Sequence, residues 1–355
     1  MRYLDLFTGY GGFTLGIKQA YEKHISNSRY RKEESKTERK GLEMERNVYT
    51  RYNIRKPSCV GFSEIDKYAI QVYQKHFNHK SYGNISNIDV RELPDFDLLT
   101  AGFPCQAFSI AGKRMGFSDT RGTLFFEIAR IAKAKKPKFL LLENVKGLLS
   151  HDNQRTFETI LCTLSELGYS VEWQVLNSKN FGVPQNRERV FIIGHLGGFS
   201  GGKVFPLGEQ DNKNTTVGKS TETTVARALT GGGHTGGNHS GMTILIPEGT
   251  KKGYAVAKEG DSINLGFRDS KIRRGRVGKG VAQTLDVGMQ QHTLQDARIR
   301  RLTPKECERL QGLPDDWTAK GTEGKISDTQ RYKLCGNGVT VNVVQAIMEK
   351  LLAIS

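Results

Sequence analysis

The sequence predicts an α/β protein: a mixed, mainly parallel sheet with helices on both faces, accompanied by a smaller, loop-rich part. Three observations carry this. Over the first two hundred residues, short apolar runs alternate with segments of helical period, the pattern of successive βα units. Several of those runs end in an acidic or reactive residue, as strands do at the ligand-binding edge of such a sheet. Past Gly197 the alternation stops and Gly, Thr, Asn and Lys dominate.

Each element has its own justification. Candidate strands are residues 3–7, 60–64, 97–101, 139–143, 171–176 and 190–194, all short and apolar. Candidate helices are residues 12–21, 67–77, 123–134 and 154–167, where apolar residues recur at helical spacing. Residues 22–56 are polar and charge-dense without an apolar period, and read as an inserted helix-and-loop excursion. Residues 198–295 contain short β-type runs such as 242–246, and glycine-rich stretches such as 231–241 that read as irregular loop. A helical pattern returns at 303–311, and an apolar helix, 339–352, closes the sequence.

Composition narrows the partners. The chain has 355 residues, with 53 Lys and Arg against 37 Asp and Glu, a formal net charge of +16. Such a balance suits a polyanion, nucleic acid above all. Cysteines 59, 105, 162, 307 and 335 are scattered without a C-x-x-C pair, which argues against structural zinc and a disulfide framework. His234 and His239 lack accompanying carboxylates or thiols, so no metal site is expected. No apolar run approaches the roughly 20 residues that span a bilayer, and Met1 leads straight into a strand pattern. A soluble, cytoplasmic protein is expected.

The chemistry gathers at strand ends. Cys105 follows the apolar run 96–101 through Gly102, Phe103 and Pro104, a turn that can hold a nucleophile at a strand's carboxyl end. An inert buried thiol is the plainer alternative for any single cysteine. The run 5–13 (DLFTGYGGF) is a glycine-rich turn between strand and helix, where backbone can approach a ligand. Glu64 at the tip of the second strand can accept from both hydroxyls of a ribose, and Asp66 serves equally as that or as a helix cap. Glu143 ends an apolar strand and must either pair with an arginine or hold a proton; residues 185–189 (QNRER) can supply the arginine. Residues 334–339 (LCGNGV) read as a turn opening the final helix, and Arg273, Arg274 and Arg276 form a compact basic run suited to phosphates.

Taken together and in this order, the blocks DLFTGYGGFTLG, EID, GFPCQAFSIAGKR, RGTLFF, ENVKG, QNRERVFIIG, RRLTPKECERLQGLPDDW and GNGVTVNV resemble the C5-cytosine DNA methyltransferases of restriction–modification systems. The resemblance implies a Rossmann-like, S-adenosylmethionine-dependent methyltransferase fold. It divides the chain into a catalytic part, 1–197, a target-recognition part, 198–328, and a return to the catalytic part, 329–355. It implies that Cys105 adds to C6 of a flipped-out cytosine while Glu143 bears on N3, with Arg189 and nearby Arg187 holding O2 and the active-site backbone. It places the cofactor on Phe7, Gly9, Gly11, Gly12, Glu64, Ile65, Asn84, Ile85, Pro104 and Asn337; Asn84 stands where many relatives have Asp. DNA contacts fall to Gln106, Ser109, Lys113 and Arg114 in the loop after Cys105, together with Arg273, Arg274 and Arg276. Double-stranded DNA is the implied partner of a monomeric enzyme with a cognate restriction endonuclease. A tRNA cytosine methyltransferase of the same family and a non-catalytic DNA-binding relative are the alternatives.

Overall fold

The computed structural model describes residues 1–38, 56–104, 124–199, 201–207, 244–266, 272, 275–288, 290–295 and 298–354. In chain order the first elements are β1 (Arg2–Leu6), α1 (Gly12–Glu38), β2 (Ser58–Ser63), α2 (Lys67–His76), β3 (Leu98–Gly102), α3 (Leu124–Lys135), β4 (Phe139–Val145), α4 (Arg155–Glu166), β5 (Tyr169–Asn177), β6 (Gln185–Asn186) and β7 (Glu188–Leu196). The strands expected from apolar runs all form. The first helix continues beyond its expected end at residue 21 to Glu38, into the charge-dense segment.

Packing divides the chain into two units, Met1–Val175 with Arg189–Leu207 and Val341–Ser355, and Leu176–Glu188 with Gly208–Thr340. In the first unit six strands form one sheet in the order β2-β1-β3-β4-β7-β5. β1 pairs in parallel with β2 and β3, β3 pairs in parallel with β4, and β7 runs antiparallel to β4. The chain therefore reverses strand order on either side of β1, the arrangement that opens a crevice beyond the carboxyl ends of an α/β sheet. The core beneath it comprises Leu4, Leu6, Leu99, Leu140, Leu142 and Ile192 from the strands, with Phe125, Ile128 and Ile160 from α3 and α4. The final helix α7 (Val341–Ile354) packs on α1 closely enough that a methyl group on Gly16 would lie 2.7 Å from Val344.

The second unit carries β8 (Ile244–Pro247), β9 (Tyr254–Ala257), β10 (Ser262–Asn264), β11 (Val277–Gly278), β12 (Ala282–Gln283), β13 (Gln291–Gln295) and β14 (Arg298–Arg301), then α5 (Pro304–Leu310) and α6 (Asp328–Asn337). Strands in the order β11-β10-β13-β14 form a small sheet, and β8 pairs with β9. Thr303 caps α5 in a reciprocal box with Glu306, behind Pro304 in the first turn. Glu308, wholly buried, accepts from the backbone of Asp316 and Thr318 and pairs with Arg331 at 2.9 Å, which fixes the segment after α5.

Candidate active site

The apolar run Phe139–Leu142 drives β4 into the middle of the sheet and delivers Glu143 to its rim. Register sets Gly102 of β3 opposite Glu143. Glu143 is 9% exposed as a residue, and its carboxylate meets Arg189 Nε at 3.1 Å. That pairing follows from β7, whose antiparallel register places Arg189 opposite Val145, one residue past Asn144. A mostly buried carboxylate left alone would cost several kcal/mol; the arginine that the sequence demanded for Glu143 is Arg189.

Asn144 fixes the neighbouring strand end. Its Nδ2 donates to the Phe103 carbonyl at 2.9 Å while its Oδ1 accepts from the Val145 amide at 2.8 Å. The backbone is thus pinned two residues ahead of Cys105, with Phe103 buried and Pro104 exposed. Cys105, Gln106, Ser109, Lys113 and Arg114 lie outside the described residues.

The glycine-rich turn follows β1. Phe7 and Gly9 take φ of 55° and 54°, and Gly11 takes 89°. The two glycines are needed for different reasons: a methyl group on Gly9 would meet nothing within 4 Å, whereas one on Gly11 would strike the Phe77 ring at 2.7 Å. Gly12 opens α1 and is buried. Glu64 closes over this turn, its Oε2 accepting from the Gly9 amide at 2.9 Å and its Oε1 from Ile65 and Asp66 at 2.7 and 2.9 Å. With two amides on Oε1 and one on Oε2, the free acceptor direction lies on Oε2. Beside it Ile65 stands 73% exposed, an apolar side chain left facing water.

Of the two acidic candidates at this strand tip, Asp66 is the cap of α2, accepting from the amides of Tyr68 and Ala69. Asn84 caps the short turn Ile85–Asn87 through Oδ1 to the Ser86 amide at 3.0 Å. Ile85 is 2% exposed and belongs to the main core.

In the second unit Arg187 is 2% exposed, and its guanidinium donates to the carbonyls of Leu285, Gly336 and Gly338 at 3.3, 3.1 and 2.8 Å. Gln185 likewise donates to Leu310 at 2.7 Å and accepts from the Leu285 amide at 3.1 Å. Both hold backbone within their own unit. The expected turn at 334–339 is corrected: Gly336 and Asn337 form the last turn of α6, and the final helix starts only at Val341. Arg276 is 2% exposed, so it is withdrawn from the surface where the basic run placed it. Arg273, Arg274, His234 and His239 lie outside the described residues. Among the described residues no group of three His, Cys, Asp or Glu side chains is placed to hold a metal, and no helix is long and apolar enough to cross a membrane.

One cluster escaped sequence reasoning. Asp5, wholly buried in β1, accepts from the hydroxyls of Thr8, Thr14 and Thr100 at 2.6, 3.0 and 2.8 Å. Burial raises its carboxyl to about 6 against the pull of those hydroxyls, with the Glu64 charge adding to the rise. The available signal was a carboxylate inside an otherwise apolar strand, Tyr3 to Phe7.

Comparison with known proteins agrees with this geometry. The family model for the C-5 cytosine-specific DNA methylases matches residues 1–353. The type II methyltransferase M1.ScrFI of Lactococcus lactis subsp. cremoris is 37% identical over 99% of this chain and 78% of its own. M.NlaX of Neisseria lactamica is 35% identical over 99% and 96%, and M.HhaI of Haemophilus parahaemolyticus 33% over 98% and 93%. Among solved structures, the S. pombe Dnmt2 methyltransferase superposes with a TM-score of 0.56 at 16% identity, over 99% of this chain and 98% of that one, a likeness of fold. A sheet of this topology, a glycine turn under an acidic strand tip and a carboxylate–arginine pair at the strand ends accompany a full-length family match: the chain belongs to the C-5 cytosine-specific DNA methylases, which use S-adenosylmethionine to methylate cytosine in DNA.

Proposed function

We propose that the rim of β3 and β4 is where a cytosine turned out of duplex DNA is methylated, with Cys105 as nucleophile and Glu143 and Arg189 as its electrostatic partners. The observation that carries this is the Glu143–Arg189 pair at 3.1 Å, set by register beside the strand end that leads through Pro104 to Cys105. C5 of cytosine is a poor nucleophile. Addition of the Cys105 thiolate to C6 makes C5 enamine-like. Negative charge then develops toward N3, where Glu143 hydrogen-bonds or delivers a proton. Arg189 holds Glu143 in place and faces O2 of the base. C5, so activated, would take the donor's methyl group and leave the donor as a thioether; loss of the C5 proton and expulsion of the Cys105 thiolate from C6 then restore the aromatic ring as 5-methylcytosine. A stacked base cannot offer C6 and N3 to side chains at once, so it leaves the duplex first.

The first unit fits the methyl donor. Glu64 retains an acceptor direction on Oε2 for a ribose hydroxyl, exposed Ile65 offers an apolar face for adenine, and the space above Gly9 is open. Phe7, Gly9, Gly11 and Gly12 would hold the methionine end, with Asn84 and Pro104 at the margins. When bound, S-adenosylmethionine supplies an electrophilic methyl group. Likeness to type II methyltransferases supports a cognate endonuclease, and we assign the enzyme to the cytoplasm as a monomer acting on duplex sites.

Purified enzyme offered duplex DNA and tRNA as methyl acceptors, followed by bisulfite sequencing, tests the reading. Conversion-resistant cytosines are expected in the duplex within one flanking context. Modification confined to tRNA overturns it.

A further inference from the structure

We propose that Asp5 is a positioning residue for the methyl donor: through Thr8 and Thr14 it holds the turn from Phe7 to Gly12 in its receptive shape, at the inner end of a hydrogen-bond chain reaching His79. The inference rests on the reading of that turn as the S-adenosylmethionine site.

Three residues of the turn or its flanks answer to this one carboxylate. Thr8 sits between Phe7 and Gly9, both at positive φ, and its hydroxyl lies 2.6 Å from Asp5 Oδ2. Thr14, in the first turn of α1, reaches the same oxygen at 3.0 Å. Thr100 on β3 holds Oδ1 at 2.8 Å, so the carboxylate cannot swing away from the turn. The Thr8 carbonyl in turn accepts from Gly11 at 2.9 Å, and Gly9 donates to Glu64. A non-glycine residue at positive φ is uphill and persists only where its surroundings enforce it; at Phe7 the enforcing contact is the adjacent Thr8–Asp5 bond.

The chain continues outward. Thr14 Oγ1 lies 3.1 Å from Tyr73 Oη, and Tyr73 Oη lies 2.9 Å from His79 Nδ1. An ionised carboxylate only accepts, so Thr14 donates to Asp5, Tyr73 donates to Thr14, and His79 donates through Nδ1–H to Tyr73. One buried charge sets the direction of three bonds. The other titratable groups facing the cluster are Tyr3 on β1, Cys59 on β2, Glu64 just past its end, and Tyr73 on α2. Burial pushes the Tyr3 and Tyr73 hydroxyls up and the Cys59 thiol to about 12, so these three stay neutral at physiological pH. His79 is lowered by partial burial. Protonating Asp5 turns one of its oxygens into a donor and breaks the pattern of three accepted hydroxyls.

Calorimetric titration of the full-length protein with S-adenosylmethionine tests this, with duplex DNA binding measured in parallel. For Asp5→Asn the dissociation constant for S-adenosylmethionine at pH 7 is expected to rise about tenfold, while that for DNA changes less than twofold. Thr8→Val should follow Asp5→Asn, and Thr8→Ser, which keeps the hydroxyl, should recover most of the loss. Wild-type affinity should fall several-fold from pH 7 to pH 5, and Asp5→Asn should show a flatter profile. Should the variant fail to fold, the wild-type profile still decides: constant affinity across that range overturns the proposal. So does an Asp5→Asn protein that binds S-adenosylmethionine as tightly as wild type. A wild-type protein that binds no S-adenosylmethionine removes the cofactor reading itself and the positioning role with it.

Discussion

Glu143 and Asp5 are both acidic residues on central strands, yet their surroundings give them opposite tasks. Glu143 sits at the strand end beside Arg189, where a charge can be presented to a ligand. Asp5 sits two residues short of its turn, enclosed by the hydroxyls of three threonines. Its ionisation therefore costs folding energy. Its carboxyl titrates at about 6 when folded, above the ordinary 3.8, so the folded state holds the proton more tightly between those values. Stability falls as pH rises through that window, and the penalty, on the order of 3 kcal/mol, is complete above it. Asn has no such penalty. The unfolding free energy of Asp5→Asn relative to wild type should therefore shift in the variant's favour between pH 5 and pH 7.5, as read by urea melts. A pH-independent difference would show that Asp5 does not titrate in this window.

The same residue type can be read or missed according to what surrounds it in the chain. Glu64 and Glu143 were legible because each terminates an apolar run, where a carboxylate has an evident reason to face a ligand. Asp5 was not, because its three partners come from the turn, from α1 and from β3, and Thr100 lies ninety-five positions away. Arg187 was legible as part of a motif but not in what it holds. Its partners at Leu285, Gly336 and Gly338 are distant in sequence and are backbone atoms, which leave no side-chain signature.

At the level of elements, the strands and the amphipathic helices of the first unit were readable because one buried face sets a period. The end of α1 was not, since the helix continues through residues with no apolar stripe to mark it. The break between α6 and α7 was also hidden: Gly336 and Gly338 read as a turn, yet Gly336 remains helical. Its glycine is required by proximity, because a methyl group there would lie 2.7–2.8 Å from the carbonyl of Asp286 and the amide of Val287. Backbone cannot retreat as a flexible side chain would. Gly336→Ala should destabilise the protein by about 1–3 kcal/mol, the usual cost of forcing atoms into a packed interior, measured by denaturant unfolding. An unchanged midpoint would mean that α6 and the 286–287 segment are less closely packed than described.

Over the whole molecule, the sheet of the first unit brings both chemistries to its carboxyl edge, the glycine turn under Glu64 from β1 and β2 and the Glu143–Arg189 pair from β4 and β7. The formal charge of +16 complements a DNA substrate. The recognised DNA site was not legible in the sequence, because base readout depends on individual side chains meeting base edges rather than on any period of the chain.

Methylation by this route turns on a transient bond between Cys105 and C6 of the target cytosine. It is tested most directly by incubating the enzyme and S-adenosylmethionine with a duplex carrying 5-fluorocytosine in the methylated site. Fluorine at C5 cannot depart as a proton, so the adduct cannot eliminate. Mass spectrometry should find the oligonucleotide covalently attached to the peptide containing Cys105, and no attachment with Cys105→Ala. An enzyme that methylates the ordinary duplex yet yields no adduct, or yields one on another residue, would contradict the account.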